Sequence, residues 1–534
     1  MQHRIDLAMF ALLSPVCLGF KADIRADTNR DGVVDVTKAC NDASDDILRQ
    51  AEYLAPIQTL PIPDLDDYAV GIVSANPLSS KYLKAGLKLG IDARDTRRPG
   101  GWDGRTTVTF SVTDGTTNST DKVMLRVAPV LSHNHLQRVD QVLTVSESIW
   151  MPDLQENFVE ELSRVVASKG IAKPVFVFNH SSDKWAQEFV EPGYTSMPGP
   201  NGTISMRIMI RSGQDRRDAG KQVFTYLRGT GVGAVHQPGS PSGGISSMGN
   251  FETIPPYEHN GTKYPAGRII MGSCGNKTHH DLEYMKAQEI QRPLILDTGW
   301  LKVGHVDEFV QFVPANTTRG WAIVITDPVA GLELLRGVQR KGLGSTKAFS
   351  RTSDLGAVQP LTLLKIDSIT DDLNSGGDND SGNTTYTVPQ LSVDELLADE
   401  AMLNVNAACA RRISANIAVP KEAIGVTDEE IYHLPAVFSN DTEGSSTASE
   451  PLKVGAYYPG MINGVVLSEI DYLSPKPWGP LVDGKDVFEE AAISVYAKAG
   501  LDVTFMDDWD THHILGGEIH CGTNTVRQTD QPWW

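Results

Sequence analysis

The chain has 534 residues, which is too many for one ordinary hydrophobic core, so two or three domains are expected, and a hydrophobic content of 40% is enough to fill them. Its formal net charge of −20 argues against binding to the phosphate backbone of nucleic acids and would attract basic substrates within about a Debye length. Solubility alone explains the charge at least as well.

Residues 1–22 predict a signal peptide. Polar residues that include His3 and Arg4 precede an apolar run at 7–20, which has the length of a signal-peptide core and is too short to span a bilayer. Nine Asn-X-Ser/Thr sites fit the same route, because such acceptors carry glycans on secreted chains. We therefore expect a secreted glycoprotein without a membrane partner. The acceptor asparagines are Asn118, Asn179, Asn201, Asn260, Asn276, Asn316, Asn379, Asn383 and Asn440.

The cysteine count does not indicate a disulfide scaffold. If Cys17 leaves with the signal peptide, Cys40, Cys274, Cys409 and Cys521 remain. Pairing among the first three of these stays open, whereas an unpaired Cys521 is what nucleophilic chemistry requires.

Residues 23–66 begin with an Asp-rich segment in which oxygen-bearing side chains alternate and Gly32 follows. This is the first half of an EF-hand-type loop, where short side chains converge on one hard cation. No bidentate Glu stands at the twelfth loop position, so calcium binding and a simple acidic turn are equally supported. The candidate ligands are Asp27, Asn29, Asp31 and Asp35.

Residues 67–128 predict a small β-sandwich. Short alternating runs at 106–112 and 122–127 are separated by the turn residues Asp114 and Gly115. Strands of this length joined by Gly, Asn and Asp turns are typical of such a domain, for which we expect a structural role.

From residue 129 the pattern changes to a helix, a glycine or short turn, a strand and then polar residues, and this order occurs three times. Because α/β folds place their sites at the carboxyl ends of strands, the polar residues after each strand are expected to meet around a central cavity. In chain order they are Trp185 and Glu188, then His305 and Asp307, and finally Asp507, Asp508 and Cys521.

Cys521 is the candidate nucleophile. It lies between small residues, next to His520 and close to the C-terminus, while His305 and Asp307 would point the same way from an extended strand. Cys, His and Asp together form an attacking set. For an isolated residue, a buried structural Cys or a core His is the more common explanation. Glu188, the acidic residue of the first module, favours the catalytic interpretation.

Four longer phrases are GHVDEF at 304–309, HCGTN at 520–524, GGIS at 243–246 and PKPWGPLVDG at 475–484. With them the chain resembles the protein-arginine deiminases from Leu125 to Trp534. The resemblance implies an α/β fold in which residues 129–534 form a five-fold pseudo-symmetric ββαβ propeller of the deiminase/amidinotransferase type. It also implies an immunoglobulin-like β domain at 67–128, preceded at 23–66 by the remnant of a longer Asp-rich region.

The resemblance implies a role for each candidate residue. Cys521 matches the nucleophile, His305 the general acid/base, and Asp307 one ligand of the substrate guanidinium. Glu188 stands where the family has Asp and would be the second guanidinium ligand, with Trp185 beside it in the substrate site. The thiolate would attack the guanidinium carbon to give a thiouronium intermediate, and the imidazole would protonate the leaving nitrogen and then activate water.

One calcium site near the catalytic centre is also implied by the resemblance. Its ligands are all oxygen atoms, as Ca²⁺ prefers. They come from the side chains of Gln187, Glu191 and Glu252 and from the carbonyl groups of Met248 and Phe251. Phe189 replaces an acidic ligand of a second family site, so that second site is expected to be absent.

The expected function is a secreted, calcium-assisted arginine deiminase acting on arginine-containing proteins or peptides, without a nucleic-acid partner. The family's arginines that grip the peptide backbone are missing from 235–238 and from position 515, which is Leu515. Deimination of free arginine or another small guanidine therefore stays open. Glu188 and the shortened N-terminal region leave open an inactive glycosylated binding protein of the same fold. The sequence does not indicate an oligomeric state.

Overall fold

The computed structural model of the chain divides into two units, Met1–Val130 and Leu131–Trp534. The predicted signal peptide lies outside the described residues, apart from residues 5–8. The Asp-rich segment also lies outside them, and with it Asp27, Asn29, Asp31 and Asp35. The structure describes residues 5–8, 88–91, 96–113, 118–146, 152–179, 183–199, 202–215, 217–240, 243–351, 362–363, 384–385, 388–440 and 453–534.

The described part of the first unit contains two antiparallel strand pairs. The strands predicted at 106–112 and 122–127 are confirmed as one pair, in which Arg105 lies opposite Arg126. Alternating β-branched residues favour this extended pairing. The β-sandwich as a whole stays a prediction. The strands are β1 (Ile5–Ala8) paired with β2 (Lys88–Ile91), and β3 (Arg105–Thr113) paired with β4 (Asn118–Arg126).

Five small mixed sheets with one shared connectivity are found among the described residues of the second unit. In each sheet a first strand pairs antiparallel with a second, the chain crosses over through helical segments, and a third strand pairs parallel with the second. A parallel pair needs such a crossover because its two strands run in the same direction. The local sequence pattern predicts three of these modules, and the structure has five.

The first three sheets are bounded as follows. The first contains β6 (Val139–Val145), α1 (Pro152–Ser168) and β7 (Phe176–Phe178), and its antiparallel partner is the C-terminal strand β29 (Thr523–Arg527). The second contains β8 (Val190–Gly199), β9 (Gly202–Arg211) and β10 (Val232–His236), with β5 (Leu131–Ser132) at its edge and short helical turns at Asp218–Lys221 and Val223–Leu227 as its crossover. The third contains β11 (Phe251–Ile254), β14 (Arg268–Cys274), β15 (Lys277–Thr278), α3 (Leu282–Gln288) and β16 (Leu294–Asp297), with the hairpin β12 (Tyr257–His259) and β13 (Thr262–Tyr264).

The fourth and fifth sheets have longer insertions. The fourth contains β17 (Val310–Pro314), β18 (Trp321–Asp327), α4 (Pro328–Arg340), α5 (Val393–Ala398), α6 (Glu400–Ile424) and β21 (Ile431–Pro435), with the pair β19 (Thr362–Leu363) and β20 (Thr384–Thr385) inserted. The pair β22 (Phe438–Asn440) and β23 (Val454–Ala456) follows. The fifth contains β24 (Val465–Val466), β25 (Asp471–Pro475), the hairpin β26 (Leu481–Val482) and β27 (Lys485–Asp486), α7 (Val487–Ala499) and β28 (Asp502–Met506).

Helix α7 shows why the sequence pattern locates these elements. Its N-terminus is capped by the Asp486 carboxylate, which accepts hydrogen bonds from the backbone N–H of Phe488 at 2.8 Å and of Glu489 at 3.3 Å. It ends at Gly500, whose φ of +84° is the left-handed conformation that glycine adopts without strain. A helix therefore precedes the strand that leads to Asp507 and Asp508, as the repeated sequence pattern predicts.

Neighbouring sheets share their hydrophobic cores. One buried cluster joins the fourth and fifth sheets through α4 and α7, and another joins the third and fourth through α6. Two smaller clusters join the first sheet to the fifth and to the second. Burial of each Val, Leu, Ile or Phe contributes about 1.5–3 kcal/mol, so these clusters hold the sheets together.

Short segments that lead from one sheet to the next carry the candidate site. They include the single helical turn α2 (Ala186–Phe189), 3-10 turns at Met248–Asn250 and Val306–Glu308, and the short helix α8 (Ile519–Gly522). The single turn α2 contacts both α8 and the turn at Met248–Asn250, which in turn contacts the turn at Val306–Glu308, although α2 and α8 are more than three hundred positions apart in the chain. Among the helices that the structure describes, none is both long and apolar enough to cross a membrane.

Candidate active site

Cys521 and Asp307 meet in the interior of the second unit. Cys521 is a buried free thiol in α8, and its Sγ lies 3.8 Å from Oδ2 of Asp307. The neighbouring turn holds the cysteine in place, because Asn463 Oδ1 accepts a hydrogen bond from the Cys521 backbone N–H at 3.3 Å. Asn463 also donates from Nδ2 to the Asp307 carbonyl at 3.4 Å. The amide of Asn463 thus links the two residues.

Three predicted side chains converge on Gly249. A Cβ atom placed on this glycine would lie 2.9 Å from Asp307 Oδ2, 2.9 Å from His305 Nδ1 and 3.0 Å from Glu188 Oε1. The three polar atoms are therefore within about 6 Å of one another, although Glu188 lies on a different connection from His305 and Asp307. Only glycine leaves room for this approach, because any side chain would collide with all three groups.

The expectation that His305 and Asp307 point the same way from a strand is wrong. His305 instead precedes the 3-10 turn Val306–Glu308. This turn forms because the Glu308 carboxylate accepts hydrogen bonds from the backbone N–H of Gly304 at 2.9 Å and of His305 at 2.7 Å. Both side chains still reach the site, and Val306 between them is buried in the core.

His305 and Glu188 form a buried ion pair, with Nδ1 and Oε1 3.5 Å apart. Burial opposes the charge on His305, but Glu188 and then Asp307 outweigh it and raise the pKa of the imidazole to about 10. Burial likewise opposes the charge on Glu188, but His305 and Arg217 outweigh it and lower the pKa of that carboxyl. His305 is therefore positively charged at neutral pH, as a general acid must be.

Arg217 supports Glu188 from the side away from His305, and the sequence did not reveal it. Its Nη1 lies 3.8 Å from Glu188 Oε2, and its Nε donates to Asp183 at 2.7 Å. It also donates from Nη1 to Ser247 Oγ at 3.0 Å. In the sequence Arg217 sits among charged neighbours at 215–218, a pattern that usually marks a solvated loop, so no local signal identifies it.

Three buried polar atoms of the site have no hydrogen-bond partner among the described residues. They are Oε2 of Glu188, Nδ1 of His305 and Oδ1 of Asp307. Buried polar groups are nearly always paired, and an unpaired one costs about 1–3 kcal/mol. Glu188 Oε2 lies 3.8 Å from Arg217 Nη1 without a hydrogen bond, so it and Asp307 Oδ1 can both accept from a ligand that carries several N–H donors.

The thiol of Cys521 is held in its protonated form. Burial, followed by the charges of Asp307 and Glu188, raises the pKa of this thiol well above its usual value. A cation placed between the two carboxylates would cancel their effect on the sulfur. Binding of a positively charged ligand there would therefore favour the ionised form of Cys521.

The ring of Trp185 lies near Cys521. Its ring packs edge-on against His512 with centroids 5.3 Å apart. A Cβ on Gly517 would lie 2.6 Å from the Trp185 ring and 3.1 Å from Cβ of Cys521, so this glycine lets the loop before α8 close against the ring. Trp185 and Cys521 therefore both lie beside Gly517, and contact of Trp185 with substrate stays a prediction.

His520, the neighbour of the nucleophile, connects the site to a second group of residues. Its Nδ1 lies 3.0 Å from Asp307 Oδ2, and its Nε2 lies 3.6 Å from Glu252 Oε1. Burial opposes its charge, but Asp307 and Glu252 outweigh burial and raise the pKa of His520. The sequence interpretation gave this residue no role.

The predicted calcium ligands lie together in this second group. Gln187 donates from Nε2 to Glu191 Oε2 at 2.9 Å and to the Met248 carbonyl at 3.4 Å. Burial, and then Glu252, raises the pKa of Glu191 well above its usual value. Burial and Asp307 raise the pKa of Glu252 to about 7, although His520 opposes this shift. Phe251, which was predicted to supply a carbonyl, starts β11 beside them.

This donor set fits Ca²⁺. Two buried carboxylates that repel each other, an amide and a backbone carbonyl are hard oxygen ligands of the kind that this ion takes. The amide of Gln187 would turn its oxygen toward the ion. Phe189, at the position of the second family site, is fully buried and packs edge-on against Phe178 with ring centroids 5.1 Å apart.

Comparison with known proteins gives a consistent family. The family model "Protein-arginine deiminase (PAD)" matches residues 117–534. Protein-arginine deiminase type-3 of Rattus norvegicus is 30% identical over 429 residues, which cover 78% of this chain and 56% of the rat protein. Protein-arginine deiminase type-1 of Homo sapiens is 30% identical over 431 residues, which cover 78% of this chain and 57% of the human protein. The chain spans about half the length of the curated relatives that it matches.

Solved structures include two weaker likenesses. Agmatine deiminase of C. jejuni shares 11% sequence identity at a TM-score of 0.37, with 75% of this chain and 96% of that chain covered. Agmatine deiminase of Enterococcus faecalis shares 10% identity at a TM-score of 0.38, with 75% of this chain and 96% of that chain covered.

Proposed function

The chain belongs to the protein-arginine deiminase family, and we propose that it converts arginine residues in proteins or peptides to citrulline with release of ammonia. The observation that carries this proposal is the meeting of Glu188, His305 and Asp307 around Gly249, with the thiol of Cys521 against Asp307. A Cys thiol, a charged imidazole and two carboxylates are what hydrolysis of a guanidinium requires.

The two carboxylates would hold the substrate. A guanidinium presents five N–H donors in a planar fork, and paired carboxylates can bind it from two sides. Glu188 Oε2 and Asp307 Oδ1 are the unpaired acceptors, and Trp185 would bound the space occupied by the side chain of the substrate. Binding of the cation would also offset the negative charges that disfavour the thiolate of Cys521.

Attack would follow once the thiol of Cys521 has released its proton to solvent, because His305 is already protonated. The sulfur of Cys521 forms a bond to the guanidinium carbon, and charged His305 gives its proton to the departing nitrogen, which leaves as ammonia. Neutral His305 then removes a proton from water, whose oxygen attacks the thiouronium carbon. The carbon–sulfur bond breaks and the remaining hydroxyl proton passes to solvent, where it converts ammonia to ammonium, so that the products are the urea group of citrulline and the thiolate.

Calcium is proposed to hold the acidic side of the site in shape. The side chains of Gln187, Glu191 and Glu252 and the carbonyl groups of Met248 and Phe251 would hold the ion, which supplies positive charge that neutralises the two buried carboxylates. Gln187 is adjacent to Glu188 on α2. Ordering this turn would fix the position of the Glu188 carboxylate.

The fold is proposed to be the five-fold pseudo-symmetric propeller of the deiminase/amidinotransferase type, with an immunoglobulin-like β domain at 67–128 before it. Two findings support the propeller. Five sheets repeat one connectivity, and the C-terminal strand β29 completes the first sheet by pairing with β6. The buried clusters that link the first sheet to both the second and the fifth also fit a closed ring.

Secretion and glycosylation are proposed from the sequence at 1–22 and from the acceptor asparagines. Every acceptor asparagine whose side chain the structure describes is exposed, as glycosylation requires. These residues are Asn179, Asn260, Asn276, Asn316 and Asn440.

Mass spectrometry of an arginine peptide incubated with the protein, with and without Ca²⁺, tests the proposed activity. The expected product is one mass unit heavier, because an imine nitrogen is replaced by oxygen, and it should not form with Cys521→Ala. Ammonia release that persists in Cys521→Ala would overturn the mechanism. Absence of product from the unaltered chain would instead favour an inactive binding protein. That alternative is suggested by Glu188, which stands where the family has Asp.

A second candidate is deimination of free arginine or another small guanidine. It is favoured by the absence of arginine from residues 235–238 and by Leu515, where the family has side chains that grip the peptide backbone. Citrulline formation from free arginine and from an internal peptide arginine, measured at equal concentrations, separates the two. A higher kcat/KM for free arginine would replace the peptide substrate by the small one.

A further inference from the structure

Two histidines and a glutamate form a cluster next to the active site, and the two histidines also line a small cavity. Each of His135, Glu252 and His520 offers one ligand atom, and these atoms all lie within 4.8 Å of one another. Nε2 of His135 is 3.9 Å from Glu252 Oε2, and Nε2 of His520 is 3.6 Å from Glu252 Oε1. The cavity is lined by His135, Gln187, His520, Thr523, Asn524 and Arg527.

Both imidazoles are oriented for metal binding. Nδ1 of His135 lies 2.8 Å from the Phe312 carbonyl, and because a carbonyl can only accept, this nitrogen carries the proton. Nδ1 of His520 lies 3.0 Å from the Asp307 carboxylate in the same way. A histidine that binds a metal through one nitrogen almost always donates its other N–H to a carbonyl or a carboxylate. Here Nε2 of each ring is left facing Glu252.

We propose that His135, Glu252 and His520 form a binding site for a divalent transition metal of the zinc class. Two imidazole nitrogens and one carboxylate suit this class, whereas Ca²⁺ takes oxygen ligands. Tetrahedral bonds of about 2.0–2.2 Å place ligand atoms about 3.3–3.6 Å apart. The separations of 3.6 and 3.9 Å run to the two different oxygens of Glu252, and one ligand atom from each residue lies within 4.8 Å of the others, so the three side chains need to close by about 1 Å around an ion. A water molecule from the cavity would complete the coordination.

Arg527 does not occupy the proposed ligands. Its guanidinium donates to the carbonyls of Gln137 at 2.9 Å and Val466 at 2.8 Å and to Thr525 Oγ1 at 3.2 Å. These oxygen partners hold the Arg527 cation in place. Its charge offsets part of the negative charge of Glu191 and Glu252. With Arg527 already present, the cluster has too little negative charge for two divalent ions at once.

The zinc-class site shares Glu252 with the calcium site. This consequence rests on the proposed function, because it takes Glu252 as a calcium ligand. An ion bound to both histidines would draw the Glu252 carboxylate away from Gln187 and Glu191, and it would hold His520 against Asp307. The two metals are therefore expected to exclude each other, so that a zinc-class ion acts as a calcium antagonist.

Cobalt is a suitable probe, since tetrahedral Co²⁺ has strong visible bands and occupies zinc sites. The unaltered full chain is freed of calcium and titrated with Co²⁺. Four variants are titrated in the same way: His135→Ala, His135→Gln, Cys521→Ala and His433→Ala. His433 is an exposed histidine paired with Asp327 and is the matched control. We expect the unaltered chain to bind one equivalent of Co²⁺ in tetrahedral coordination. The affinity for Co²⁺ is expected to be at least about tenfold lower in both His135 variants and unaltered in the other two.

The outcomes separate the possible ligands. Loss of the visible bands in Cys521→Ala, or a thiolate-to-metal band in the near ultraviolet, would place the metal on the nucleophile and overturn the proposal. Full binding in a folded His135→Gln protein, or no tetrahedral spectrum at all, would also overturn it. Calcium added to the cobalt form is expected to bleach the spectrum. Retention of the spectrum at saturating calcium would overturn the antagonism, while the deiminase activity is judged separately by citrulline formation.

Discussion

Nδ1 of His305 lies 3.5 Å from Oε1 of Glu188, and this buried pair sets the charge of the catalytic imidazole. Glu188 is the main cause that raises the pKa of His305 to about 10 against the effect of burial. The pair therefore determines over which pH range His305 can act as an acid.

Substitution of Glu188→Gln is expected to lower the pKa of His305 from about 10, because burial would remain and only Asp307 and Glu308 would still oppose it. NMR titration of the imidazole, assigned with a His305 variant, measures this shift directly. Since the folded pKa is raised, the contribution of His305 to the free energy of unfolding is complete below pH 6.5 and is lost as the pH rises through about 10. An unchanged imidazole pKa in Glu188→Gln, with the exposed Glu258→Gln as control, would contradict the ion pair.

A bound guanidinium is expected to lower the pKa of Cys521. The thiol is kept protonated by burial and by the charges of Asp307 and Glu188, and a cation between these carboxylates cancels the second influence. The ultraviolet absorbance of the thiolate, taken as the difference between the unaltered chain and Cys521→Ala, measures ionisation across a pH range with and without a non-reactive guanidine. If saturating ligand leaves this titration where it was, substrate-assisted ionisation does not occur.

Gly249→Ala is expected to reduce kcat/KM by about a hundredfold or more. The added methyl group would lie within 3.0 Å of atoms of Glu188, His305 and Asp307, and a displacement of about 1 Å at reacting groups can cost about that factor. Gly455→Ala is the matched control, because a Cβ there meets no atom within 4 Å. Activity is measured as citrulline formation, and the unfolding temperature of each variant is checked to be unchanged. Comparable losses of kcat/KM in both variants would show that the effect is not specific to the site.

Glu188→Asp is expected to reduce activity in this chain even though Asp is the residue of the family. The Glu188 carboxylate already reaches His305 and the point above Gly249, so removal of one methylene would draw it away by about 1 Å. We expect a lower kcat/KM in arginine deimination. A gain in activity would mean that the longer side chain impairs this protein.

The sequence predicted the ends of elements and the residues in recognisable phrases better than it predicted long-range pairing. Asp486 and Gly500 mark the two ends of α7 because capping is a local interaction. The pairing of β29 with β6 joins residues nearly four hundred positions apart, and no local pattern encodes it. The second sheet was missed as a module because its crossover consists of short helical turns with no helical periodicity to detect.

The predictions about the site failed for the same reason, because they depended on contacts that the local sequence pattern does not encode. The alternation of His305 and Asp307 fits a strand, but the backbone hydrogen bonds of Glu308 fold the segment into a turn. Arg217 and Asn463 act through partners that are distant in sequence, Asp183 in one case and Cys521 in the other. Cys521, His305 and Glu188 could be predicted because each follows a recognisable strand, while the residues that orient them are revealed only by the packing.

Calcium is expected to stabilise the unaltered chain and not Glu191→Gln. An ion that binds only the folded state at a hundred times its Kd adds about 2.7 kcal/mol to the free energy of unfolding. Glu191 is buried beside Glu252, and its loss removes a charged oxygen from the site. Without calcium the same substitution is expected to be neutral or stabilising, because a repulsive buried carboxyl has been replaced by an amide. Thermal unfolding with Ca²⁺ and with a chelator measures both effects.

Glu258→Gln is the control, because Glu258 is an exposed carboxylate on β12, and this variant should keep the full response to calcium. A calcium response of equal size in Glu191→Gln would show that the ion binds elsewhere.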